Sequence, residues 1–109
     1  MRRYAGRTDS NHREIRDGLR AFGASVADTS AAGHGFPDLV VGWRPPGREA
    51  VTELYEVKNP SNRKVGGKSV SRTKERQAKF RRRWKGRPVH VVESLDQAIE
   101  ILTNGSRGR

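Results

Sequence analysis

The chain has 109 residues, 32% of them apolar and 32% charged, and 23 Lys and Arg against 12 Asp and Glu give a formal net charge of +11. That length suits one core, because a chain of this size removes only about two-thirds of its unfolded surface from water on folding. The lack of cysteine excludes a disulfide scaffold, a thiol nucleophile, an iron–sulfur centre and a zinc ribbon. The longest apolar run, Leu39-Val40-Val41, is far short of a membrane span, and the basic start Met1-Arg2-Arg3 is not followed by a signal-peptide core. A cytosolic domain is expected.

In chain order, residues 1–7 have the composition of a frayed tail. From Ser10, the pair Asn11 and Glu14 has the form of a capping box, and Ile15, Leu19 and Phe22 recur on one helix face before Gly23 closes the segment. Ala24 to Asp28 reads as a short strand, Thr29 to Phe36 with Gly33 and Gly35 as a loop, and Leu39 to Trp43 as a second strand. Arg44-Pro45-Pro46-Gly47 is a turn, since neither proline has a ladder donor, and Val51 to Lys58 forms the returning strand with Tyr55 and Val57 on one face. Asn59 to Arg72 carries Gly, Ser, Pro and positive charge without a period and is expected to be a mobile basic loop. A second helix starts near Thr73, with Gln77, Phe80 and Trp84 on one face, and Gly86 ends it. Pro88 to Val92 is a further strand. Ser94 and Gln97 cap a last helix that turns Leu95, Ala98, Ile99 and Leu102 inward, ahead of a frayed tail over 104–109.

The charge is concentrated. Between Arg63 and Arg87 lie twelve basic residues and one acid, Glu75, while the rest of the chain holds eleven of each sign. A neutral body with one strongly basic segment suits a polyanion, because each Lys or Arg near a phosphate releases condensed counterions. Arg63, Lys64, Lys68, Arg72, Lys74, Arg81, Arg82 and Arg83 are the candidate nucleic-acid contacts. His34, between two glycines, either touches a phosphate or is simply exposed. His90 alternates with two valines and reads as structural or superficial, and His12 suggests no role. No His pair at metal spacing and no Gly-x-x-x-x-Gly-Lys loop occurs, so zinc hydrolase and nucleoside triphosphatase readings lack support.

Asp38 opens one hairpin strand, and Glu56 and Lys58 lie two apart, hence on one face, near the end of the other. Two carboxylates and an ammonium converging at one end of an apolar sheet repel and cost solvation unless a divalent cation sits between the acids. With a lysine beside them, these are the parts of metal-assisted phosphodiester hydrolysis. Pro37-Asp38 followed by Glu56-Val57-Lys58 resembles the PD-(D/E)xK nuclease signature, and the run from Gly33 to Gly42 is similar to the stand-alone VRR-NUC and archaeal-type Holliday junction resolvase branch.

That resemblance spans about residues 11–102 and implies a single α/β nuclease domain, with a restriction-endonuclease-like αβββαβ core and a mixed central sheet flanked by helices. It implies Mg²⁺ or Mn²⁺ held by Asp38, Glu56 and the Val57 carbonyl, with Lys58 acting on the attacking water. Glu14 matches a first-helix acid that completes such sites, and its other reading is as a helix cap. Gln77 matches a glutamine on the following helix, its other reading being a satisfied structural amide. The implied activity is a structure-selective DNA endonuclease acting on four-way junctions as a homodimer, for which Trp43, Phe36, Trp84, Ile99, Ile101 and Leu102 offer apolar material. A nuclease of flaps, nicks or single strands, or a non-catalytic binding module, are the alternatives.

Overall fold

The computed structural model describes residues 10–59 and 72–107. Most of the expected basic loop, with Arg63, Lys64 and Lys68, and the N-terminal tail lie outside them.

Helix α1 (Ser10–Phe22) buries Ile15 and Leu19, four residues apart on one face. It stops where Gly23 takes a φ of 115°. There the Gly23 N–H donates to the Arg20 carbonyl and the Ala24 N–H to the Leu19 carbonyl, the paired bonds of a Schellman ending. The expected Asn11–Glu14 capping box does not form. The helix already includes Ser10, so Asn11 lies inside it, and its Nδ2 donates to the Lys58 carbonyl at 2.7 Å.

Strands β1 (Ser25–Asp28), β2 (Leu39–Trp43) and β3 (Val51–Val57) form an antiparallel meander, and β4 (His90–Val92) adds to β3 in parallel, giving the spatial order β1-β2-β3-β4. The β2–β3 turn closes with the Arg48 N–H on the Pro45 carbonyl and Gly47 at φ 71°. Helix α2 (Arg72–Arg83) follows β3, and α3 (Leu95–Arg107) ends the described chain. Thus α2 stops three residues before Gly86. The tail expected from residue 104 is helical through Arg107. At the start of α3 the Gln97 N–H donates to Ser94 Oγ, and Gln97 Oε1 accepts from the Glu93 N–H.

One face of this mixed sheet carries the core. Leu39 and Val41 of β2, Tyr55 of β3 and Val92 of β4 meet Ile15 and Leu19 of α1 and Ala98 and Leu102 of α3, all with no exposed surface. Each large aliphatic side chain buried there contributes on the order of 2 kcal/mol. The Tyr55 hydroxyl donates to the Ala98 carbonyl at 2.8 Å, tying α3 to the sheet, and burial pushes its pKa upward. Trp43, Ile99 and Ile101 also pack against this core, and Phe36 packs on Phe80. Most of the apolar material expected to form a dimer face is therefore used within the single chain. No helix among the described residues is long and apolar enough to cross a membrane.

Asp28, at the end of β1, joins three segments. Its Oδ1 accepts from the Ser30 hydroxyl (2.7 Å) and N–H (3.1 Å), while its Oδ2 lies 3.1 Å from His12 Nε2 and accepts from Arg16 at 3.2 Å. Desolvation opposes ionisation here, but the Ser30, His12 and Arg16 hydrogen bonds outweigh it and hold the carboxyl well below the usual range. A depressed folded-state pKa contributes stability that is full above the unfolded value of about 3.9 and is lost progressively as pH falls from there through the much lower folded-state value. Asp28→Asn should therefore cost about 2 kcal/mol in urea unfolding at neutral pH. The difference from wild type should begin to shrink below about pH 4, keep more than half its size at about pH 3, and vanish only in stronger acid, as pH passes the folded-state value.

Candidate metal and nucleic-acid site

The face of β3 opposite the core carries Thr52, Leu54 and Glu56, because successive strand residues alternate. Glu56 is nonetheless 1% exposed. Arg81 of α2 covers it, donating to Oε1 at 2.6 Å, and Oε2 is buried with no hydrogen-bond partner among the described residues. Asp38 sits where the β2–β3 ladder breaks off. Its N–H donates to the Tyr55 carbonyl, and its Oδ2 accepts from the Val57 N–H at 2.8 Å. Burial raises the Asp38 pKa, the Val57 bond works against that, and the nearby charges of Glu56 and Asp28 add to the rise. The two acids thus feel one another across the end of the hairpin.

Lys58 follows Val57, its N–H donating to the Val92 carbonyl and its own carbonyl accepting from Asn11. Helix α1, β3 and β4 therefore fix the backbone that presents Lys58, on the strand face of Glu56. Gln77 and Asp38 line the same cavity of about 110 Å³, together with Ser30, Phe36, Arg76 and the 33–35 loop. That loop is held left-handed at three successive residues, Gly33, His34 and Gly35, with φ of 75°, 57° and 82°. A Cβ at Gly35 would come within 2.2 Å of the Arg76 carbonyl oxygen. Gly35 lets the loop lie directly on α2, which sets where Gln77 and Arg81 reach. Gly35→Ala combines backbone strain with that collision and should cost well over about 1 kcal/mol. A thermal melt would measure it.

His34 is exposed, at the rim shared by this cavity and a groove of about 340 Å³ lined also by Arg76, Lys79, Phe80, Arg83 and Trp84. Lys74 and Arg82 lie exposed on α2, and only the backbone of Arg72 is described. Arg81, expected to face nucleic acid, instead points into the site and neutralises Glu56. Glu14 is exposed on α1. No set of three or more His, Asp and Glu side chains able to hold a metal is assembled among the described residues, so the structure does not join Glu14 to Asp38 and Glu56.

A larger cavity, about 740 Å³, lies elsewhere, between β4 and α3, and is lined by Glu53, Arg87, His90 and Ile101 among others. Glu53 is 2% exposed, yet Arg87 binds one carboxylate oxygen and His90 Nε2 lies 3.0 Å from the other. Both oxygens of Glu53 are thus satisfied, whereas Oε2 of Glu56 has no hydrogen-bond partner among the described residues. Glu53 was visible in the sequence as an acid on the strand face of Tyr55, and its burial implied a cation partner.

No family model, curated protein or solved structure matches the chain.

Proposed function

We propose that the protein is a divalent-metal-dependent nuclease that hydrolyses phosphodiester bonds in branched DNA, with four-way junctions as the preferred substrate, and that it has a restriction-endonuclease-like core. One observation carries this reading: among the described residues the buried Glu56 Oε2 has no hydrogen-bond partner, and a second acid, Asp38, lies beside it next to the arginine-rich helix α2. A buried unsatisfied carboxylate oxygen is costly, and a cation shared with Asp38 would supply the missing partner. The residues present fit Mg²⁺ or Mn²⁺, which take one or two carboxylates and otherwise keep waters and phosphate oxygens. Asp38, Glu56 and the Val57 carbonyl would hold the ion. When bound, it would lower the pKa of a water and offset charge developing on the phosphate.

The chain's own groups divide the rest of the work. Arg81 orients the Glu56 carboxylate through Oε1, and the Val57 N–H orients Asp38. Lys58 positions the attacking water or meets the charge on the phosphate, and Gln77, in the Asp38 cavity, hydrogen-bonds the substrate. The exposed cations of α2 supply affinity through phosphate contacts, which position a strand without reading its sequence.

The test is incubation with end-labelled four-way junction, flap, nicked, linear and single-stranded DNAs, with Mg²⁺ or with a chelator. Internal cuts that need the metal and favour branched substrates are the expected result. No cleavage of any substrate, or cleavage that survives the chelator, would overturn the reading.

A further inference from the structure

The groove on α2 has a composition that metal chemistry does not need. Phe80 and Trp84 stack with ring centroids 5.2 Å apart and planes 17° from parallel, and Phe36 meets Phe80 edge-on at 5.4 Å. The Phe36 contact suffices to pin α2 to the 33–35 loop. Trp84, one turn further on, is 42% exposed. A Cβ at Gly86 would come within 2.8 Å of its Nε1, so the backbone there lies against the indole and fixes it. Arg76, Lys79 and Arg83 recur three and four residues apart, which places them on the helix surface beside Phe80 and Trp84. Together with His34 they line the groove around the aromatic pair.

We propose that this groove seats an unpaired nucleobase against Trp84, its phosphates lying on Arg76, Lys79 and Arg83. An exposed aromatic ring framed by cations suits a strand whose bases are free, since every base has a π-face and its backbone is anionic. A base inside a duplex has both faces covered and cannot enter. His34 and Arg76 line this groove and also the cavity that holds Asp38 and Gln77. A base held here therefore places the adjoining phosphate near Asp38, and an unpaired nucleotide next to the cut, as at a flap or at a junction whose crossover pair has opened, is selected over continuous duplex. This rests on the reading that the neighbouring site acts on nucleic acid, but it concerns binding alone.

It is tested without metal, in chelator, by equilibrium binding of oligothymidine and of a duplex of equal length. Trp84→Ala should weaken single-strand binding by about tenfold or more, as expected for one lost stacking contact. Duplex binding should stay within about twofold, because its phosphate contacts remain, and Trp84→Phe should restore most of the loss. A second measurement keeps residue 84 intact. In Trp43→Phe, Trp84 is the one remaining tryptophan, and its emission should be quenched by oligothymidine and indifferent to duplex. Equal loss on both ligands, no loss on either, or emission unmoved by oligothymidine would overturn the proposal. A protein that shows selective stacking but never cleaves refutes the hydrolytic reading alone, and one that cleaves with Trp84 indifferent refutes this one alone.

Discussion

Glu56→Gln is expected to lower metal-dependent cleavage by more than about a hundredfold while leaving DNA affinity in chelator nearly unchanged. The magnitude follows from position. Changes to groups that merely orient a metal ligand cost about 10- to 100-fold in activity or metal affinity, and Glu56 is proposed as a ligand itself. Glutamine keeps the shape and can still accept from Arg81 at Oε1, but it puts an amide where Oε2, unpartnered among the described residues, lies. Asp38→Asn should act similarly, since its carboxylate reaches the cavity that Gln77 lines. Affinity should survive in both because it is assigned to the exposed cations of α2, whereas Arg81, the partner of Glu56, is part-buried in the site. Quantitative cleavage of a labelled junction, paired with binding in chelator, separates the two effects. Near wild-type rates in either variant would place the chemistry elsewhere.

The second large effect is on folding. Arg81→Met should destabilise the protein by about 3 kcal/mol, because it leaves the buried Glu56 carboxylate with no cation on either oxygen. The ion pair is asymmetric, with the Arg81 side chain 35% exposed and that of Glu56 2%. Removing the arginine strands a buried charge, whereas removing the acid lets the guanidinium turn to water. The double variant Arg81→Met with Glu56→Met should therefore recover most of the loss, as a buried pair exchanged for apolar residues often does. Urea unfolding of the two single variants and the double closes the cycle. A loss below about 1 kcal/mol in Arg81→Met would mean that water reaches Glu56 freely.

Much of the fold was legible in the residues. The order of seven elements, the bounds of β2 and the Gly23 stop follow from local rules that the structure keeps: period two in strands, period near four in helices, and a left-handed glycine at a helix end. The candidate site was legible as far as the hairpin reaches, because Asp38 directly precedes β2 while Glu56 lies on the adjacent β3, and Gln77 lines the cavity of Asp38. What was not legible depends on how separate elements approach one another. Arg81 looked like one basic residue in a run of three, and only the seating of the 33–35 loop on α2 through Gly35 turns it towards Glu56. The Asn11 cap failed for a similar reason. Its amide was claimed by the Lys58 carbonyl, 47 residues away, a partner that no local pattern announces.

Whether Asp38 and Glu56 together take a divalent cation decides between metal-dependent hydrolysis and binding alone. Titration calorimetry with Mn²⁺, run on the wild-type chain and on Glu56→Gln side by side, measures this without substrate or turnover. Saturable heat from one ion per chain is expected in the wild type and its loss in the variant. Indistinguishable isotherms in the two proteins would contradict a metal site at Glu56.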